Sequence, residues 1–427
     1  MLDGYAIFVL GVAMPIIIAE FRIQPDVVGL IGASLVFGAV IGAGVGGPMA
    51  DHLGRKKLML ADMIIIGGGA FISALAKGPA MLFIGQLLVG IGVGIEFPVS
   101  SSYVSEILPK RSRARMMVAT IACQSVGMLL AAVITLGLLR TGSIQAWRLF
   151  LATECAVALL FFVFRLLAPE SPHWLMSRGK LAEAAQAFIR IIPEQRQAVL
   201  QLAGSQEKVA APGPHADGVL SILFSRRYRA RTALVTIPWF LMDIATYGVG
   251  LFTPTILGAI EISGRAHGVT AQDFGLAEGS ALVDLFLLIG FLLGVWLVPR
   301  LGRIRMQAIG FAGMALGMLV LVTAVGLTNS SLHIPLVFAG FIIFNLLMNG
   351  GPNSTTFTLA PILFPTQLRG TAGGFAAGVA KLGATLGVFL LPIFKEKFGV
   401  PSVLGIVSAV SLLGLVVTLI LGRENTE

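Results

Sequence analysis

The chain alternates between long apolar runs and short polar breaks from its first residues to its last. A run of roughly 20 residues crosses the hydrocarbon core of a bilayer as one helix. Twelve such runs lie near 3–21, 27–49, 58–76, 80–104, 116–139, 147–167, 232–258, 280–298, 306–327, 333–360, 371–392 and 401–421. The pattern predicts an all-α membrane protein with twelve transmembrane helices in two six-helix halves, 1–167 and 231–427. One break, 168–230, is far longer than the others and reads as a cytoplasmic central loop. Within it, Lys180 to Ile192 (KLAEAAQAFIRII) predicts a short amphipathic helix at the membrane surface. Ala210 to Gly218 (AAPGPHADG) reads as a flexible linker.

Composition agrees. Hydrophobic residues make up 56% and charged residues 12%, against about 25% charged in an ordinary soluble domain. The net charge of +9 comes from basic residues in short breaks between apolar runs. Topology explains it better than nucleic acid, which is not expected as a partner. The even-numbered breaks hold Arg55, Lys56 and Lys57; Lys110, Arg111, Arg113 and Arg115; Arg300, Arg303 and Arg305; and Arg369. The odd-numbered breaks hold few. The bias predicts cytoplasmic termini in a multi-pass inner or plasma membrane protein. Asp3, so close to Met1, suggests a missing cytoplasmic lead-in. Cys123 and Cys155 both fall in apolar runs and read as packing residues.

An internal repeat marks the seam. Gly46 to Lys57 follows the second run, and Pro299 to Arg305 follows the eighth. Pro98 to Arg113 is echoed by Pro352 to Arg369 at a similar offset. Two parallel halves around a cavity are a carrier's plan. The loop Gly47-x-x-x-Asp51-x-x-Gly54-Arg55-Lys56-Lys57 resembles the loop motif of the major facilitator superfamily. By that resemblance Asp51, Gly54, Arg55 and Arg113 belong to a conformational latch. The second copy has Pro299 where Asp51 falls, which predicts a weaker second latch.

Charges inside the runs point to the chemistry. Lys381 is the one charge in the stretch Ala372 to Pro392, where an ammonium costs at least ~2.5 kcal/mol to insert. Asp3, Glu96, Glu154, Asp243 and Asp284 are the acids available to it. Trp239, Asp243 and Tyr247 recur every fourth residue and so share one helical stripe. Gly350-Gly351-Pro352 breaks the tenth run beside Asn353, which is tolerable only beside a cavity or packed partner.

Here the resemblance narrows. Trp239 to Gly248 (WFLMDIATYG), Gly351 to Phe357 (GPNSTTF), Phe364 to Arg369 (FPTQLR), Lys381 to Ala384 (KLGA), Gln124 and Glu96-Phe97-Pro98 resemble the phosphate:proton symporter branch of that superfamily. The resemblance implies that Gln124, Trp239, Asp243, Tyr247, Asn353, Lys381 and Phe97 bind substrate. It implies a proton route through Asp3, Glu96 and Asp243. There are departures. Phe97 stands where that branch has a tyrosine, and Glu96 where it has an aspartate. Pro169 to Leu175 (PESPHWL) is similar to a sugar-porter loop.

The expected function is secondary active symport of a proton and a small anion, phosphate first, by alternating access, acting as a monomer. Lys381 attracts the anion, and an ionised Asp243 repels it. Protonation of Asp243 and anion binding therefore favour each other reciprocally. A sugar or polyol carrier and an organic-acid symporter stay open as alternatives. No enzyme, cofactor or metal is expected. The five histidines show no ligand spacing, and no phosphate-binding Gly-x-x-x-x-Gly-Lys-Ser/Thr loop is present.

Overall fold

The computed structural model describes residues 1–140, 145–197, 219–259, 269–327 and 331–423. The linker Ala210 to Gly218 and the side chain of Asp284 lie outside the described residues. Every long element is a helix, as expected where no water satisfies backbone groups and an isolated helix can. The first half contains α1 Leu2–Phe21, α2 Pro25–Leu53, α3 Arg55–Ala74, α4 Pro79–Ile107, α5 Lys110–Leu139 and α6 Ala146–Leu167. The second contains α10 Arg229–Ala259, α11 Val269–Leu301, α12 Arg303–Gly326, α13 His333–Met348, α14 Ser354–Leu363 and α15 Thr366–Arg423. Between the halves lie α7 Pro172–Ser177, α8 Leu181–Ile191 and α9 Val219–Leu223.

Ten helical segments among the described residues are long and apolar enough to cross a membrane. The helices α10 and α11, of 31 and 33 residues, supply the other two spans. The helix α15 holds two spans, separated where Gly399 takes φ 79°. Pro25 and Pro79 open α2 and α4 at the first turn, where the missing N–H leaves no bond unmade. Large apolar side chains such as Phe71, Leu159, Phe164 and Phe389 are more than half exposed on the outer surface. So much outward apolar area calls for a lipid solvent.

Two features differ from the sequence expectation. The Gly350-Gly351-Pro352 segment does not break the tenth span. It forms one π turn, Asn349–Asn353, that hands α13 on to α14, as single π turns inserted in α-helices do. The central segment is also more ordered than a loop. α8 forms as predicted, but Ala184 and Ala187 pack on Leu175 of α7.

The halves meet along two seams, α2 and α4 against α15 and α5 against α11. One apolar cluster spans both halves and includes Ala43, Val93, Phe97, Trp239, Phe357 and Ala376.

Candidate functional site

Lys381 of α15 and Asp243 of α10 point at each other across the middle of the second half. The ammonium donates to Asp243 Oδ2 at 2.9 Å and to the Tyr247 hydroxyl at 2.8 Å. Both charges are buried, at 4% and 1% exposure. The stripe expected on α10 is present. Asp243 and Tyr247 sit one turn apart, with the buried Trp239 one turn before Asp243. Phe97 of α4 closes the site from the first half, its ring centroid 4.9 Å from the ammonium. Phe97 also meets Trp239 and Phe357 edge-on at 6.2 and 6.4 Å. A buried cation thus has one carboxylate, one phenol and two ring faces around it, which compensates much of its desolvation.

Phe97 divides the remaining candidates from this pair. A cavity of about 260 Å³ lies on its far side and is lined by Asp3, Glu96, Gln124 and Arg165, among others. Gln124 therefore faces the cavity, which Lys381 does not line. Asn353 donates to Asn349 Oδ1 at 2.8 Å, and Asn349 in turn donates to the Asn345 carbonyl. These amides form a ladder along the π turn.

Glu96 and Asp3 differ from the simple picture of free acids on a path. Asp3 accepts from the Met1 amine at 3.1 Å. Glu96 accepts from Arg165 at 2.7 Å, and the same guanidinium donates to both oxygens of Asp62 at 2.7 and 2.9 Å. Two carboxylates share one arginine beside the cavity. Sequence reasoning missed Arg165 and Asp62. For Asp62 the signal was there, since it is the one charge in the run 58–76, as Lys381 is in its own; Arg165 shares its run with Arg148 and Glu154. Glu154 of α6 is fully buried with neither oxygen hydrogen-bonded.

At the end of the molecule that carries the basic loops, Asp51, Gly54 and Arg55, expected to form a latch, come together. Arg55 donates to Asp51 at 3.1 Å and to Glu106 at 2.9 Å. Asp51 Oδ2 accepts from the Thr371 backbone N–H at 2.9 Å and from its hydroxyl at 3.0 Å, which ties α2 to α15. The backbones approach so closely that a Cβ on Gly47 would lie 2.3 Å from the Gly370 carbonyl oxygen. Gly54 turns the chain at φ 99°, and Glu170 fills the space where its side chain would stand. Glu170 accepts from the backbone N–H of Arg55 and Lys56, and the Trp174 indole donates to the Asp51 carbonyl at 2.9 Å. The Pro169–Leu175 segment thus packs into the same cluster. Arg113 is not in this cluster. Its guanidinium donates to the Leu108 carbonyl at 3.3 Å.

Two helical bundles closed over a buried charged pair define a multi-pass membrane carrier. The chain belongs to the family described as sugar (and other) transporter, whose profile matches residues 2–424. Its fold matches that of the proton:xylose symporter XylE bound to 6-bromo-6-deoxy-D-glucose, a major facilitator superfamily protein. The TM-score is 0.80 at 21% identity, covering 97% of this chain and 92% of that one. The chain is 27% identical to the putative metabolite transport protein YaaU of Escherichia coli (strain K12), over 99% of this chain and 89% of the relative. It is 28% identical to inorganic phosphate transporter 1-11 of Oryza sativa subsp. japonica, over 93% of this chain and 77% of the relative.

Proposed function

We propose that the protein is a proton-coupled symporter of a small anion, inorganic phosphate first, working by alternating access between halves 1–167 and 231–427. The observation that carries this reading is the seat of Lys381, a buried ammonium whose anionic partner is a titratable side chain. In the closed pair, Asp243 occupies the place an anion would take. A proton on Asp243 neutralises that partner and frees the ammonium for a phosphate oxygen. Tyr247, Trp239 and Gln124 supply further donors, and Asn353 does so once its ladder opens. Phe97 moves aside to join the pair to the cavity. Asp3 and Glu96 pass the proton, and Arg165 holds Glu96 at the cavity wall. Asp51, Gly54, Arg55 and the Arg113 region close the cytoplasmic side. Both termini are cytoplasmic in an inner or plasma membrane. Identity to a plant phosphate transporter over nearly the whole chain supports the cargo.

A second reading keeps the carrier and changes the cargo to a neutral sugar. Its support is the family description and the sugar-porter-like Pro169–Leu175 loop built into the latch. Radiolabelled phosphate uptake into proteoliposomes with an imposed pH gradient decides between them. Phosphate uptake that rises with the gradient, is abolished in Asp243→Asn and resists excess glucose supports the anion. Uptake of sugar and none of phosphate refutes it.

A further inference from the structure

The repeated gates differ in one respect. In the first, Arg55 lies between two acids, Asp51 and Glu106. The Gly54-Arg55 pair recurs as Gly302-Arg303, which puts Pro299 at the place of Asp51. The Pro109…Arg113 pair recurs as Pro365…Arg369, which puts Ile362 at the place of Glu106. Arg303 therefore repeats Arg55 without either acid. Among the described residues it has no hydrogen-bond or ion-pair partner, and its Nε is closed to water with no acceptor. The Nε of Arg113 is in the same condition.

Packing brings the helix starts that carry these two arginines to one end of the molecule. Val118 of α5, Val298 of α11 and Met306 of α12 form one buried cluster. Arg113 and Arg303 lie roughly a turn before Val118 and Met306, at the same end of the cluster. The charge acting on Arg303 is the like charge of Arg113. Arg369 also feels the charges of Glu106, Arg113 and Arg55. Arg113 stands in the first turn of α5 and Arg303 opens α12. Both helix N-termini add positive potential. Among the described residues these two half-buried guanidiniums have no carboxylate partner, and an anion would satisfy them. Phosphate fits the guanidinium fork.

We propose that Arg113 and Arg303 together hold one phosphate-group anion between the halves, doing at the second gate what Asp51 does at the first. The headgroup of an anionic lipid and free phosphate share that chemistry. The headgroup has the better position. Trp296 and Leu301, at the same end of α11, are exposed, and Arg300 lies over the Trp296 ring at 4.4 Å, an arrangement that marks a membrane interface. The site is separate from Lys381 and does not depend on the cargo.

Native mass spectrometry of the purified full chain tests it, with phosphatidylglycerol against phosphatidylcholine. The wild type should retain phosphatidylglycerol preferentially. Arg303→Gln or Arg113→Gln should weaken that preference about fivefold each. Ile362→Glu, which supplies an internal acid, should weaken it as much without lowering the unfolding temperature, and it carries the test if an arginine variant misfolds. Arg305→Gln, at an exposed position in the same turn, should leave it unchanged. Displacement of the lipid by inorganic phosphate assigns the site to the free anion, and persistence assigns it to the headgroup. Equal retention of the two lipids, or an equal effect of Arg305→Gln and Arg303→Gln, overturns the proposal.

Discussion

Asp51 and Thr371 are 320 positions apart, yet one carboxylate oxygen of Asp51 takes both the backbone N–H and the hydroxyl of Thr371. The contact crosses between the halves, so it exists only while this end of the carrier is shut. A hydrogen bond to a charged group contributes about 1.5–3 kcal/mol. That is enough to shift a two-state equilibrium by ten- to a hundredfold, since about 1.4 kcal/mol is a factor of ten. Asp51→Asn should therefore open this end. Spin labels on exposed Lys57→Cys and Gln367→Cys should report longer distances in the variant. Unchanged distance distributions would show that the carboxylate holds only its own loop.

The fold and the pairing of Lys381 with Asp243 were legible in the sequence. Hydropathy and length gave the spans, because a bilayer dictates both. Lys381 and Asp243 stood out because a charge in an apolar run needs a partner, and a four-residue stripe fixed the face of α10. What was not legible depends on packing between distant helices. Nothing local says that Arg165 of α6 reaches Asp62 of α3 and Glu96 of α4. Nothing local says that Phe97 would stand between Gln124 and Lys381. The α7 turn looked like loop because six polar-flanked residues carry no period, and its order comes from seating Trp174 on Asp51.

The Lys381–Asp243 pair has a consequence for stability. Removing one member of a buried ion pair leaves the other uncompensated and costs about 3–5 kcal/mol, whereas replacing both with well-packed neutral groups is often neutral. Lys381→Ala should lower the unfolding temperature in detergent. The double variant Asp243→Asn/Lys381→Met should recover most of the loss, while transport stays absent in both. Additive losses in the double variant would mean that the two groups do not act as a pair.

His173 adds a pH term at the seam that carries Asp51 and Arg369. Burial holds its imidazole below the ordinary histidine value. Arg369 and Arg113 push the same way, and Glu106 pushes against them. A histidine held low binds fewer protons in the closed form than when solvated, so closure is favoured at neutral pH. That advantage is lost as pH falls below about 6.5. The Lys57–Gln367 distance should lengthen in acid, and His173→Gln should flatten the dependence. A variant with the wild-type pH profile would assign the effect to another group.

Phe97 offers the sharpest test of the cargo. Its ring lies 4.9 Å from the Lys381 ammonium and separates the pair from the cavity, so a group on this ring faces whatever binds there. The resembling phosphate symporters place a tyrosine at this point. Phe97→Tyr adds one hydroxyl donor where an anion would need it, and a net hydrogen bond is worth about 0.5–1.5 kcal/mol, or more to a charged acceptor. If the cargo is phosphate, its apparent affinity in uptake assays should improve about three- to tenfold, with no comparable gain for benzoate, which has an apolar ring to seat. A gain for benzoate and a loss for phosphate would instead favour an aromatic acid, because such a substrate uses the ring surface that Phe97 provides.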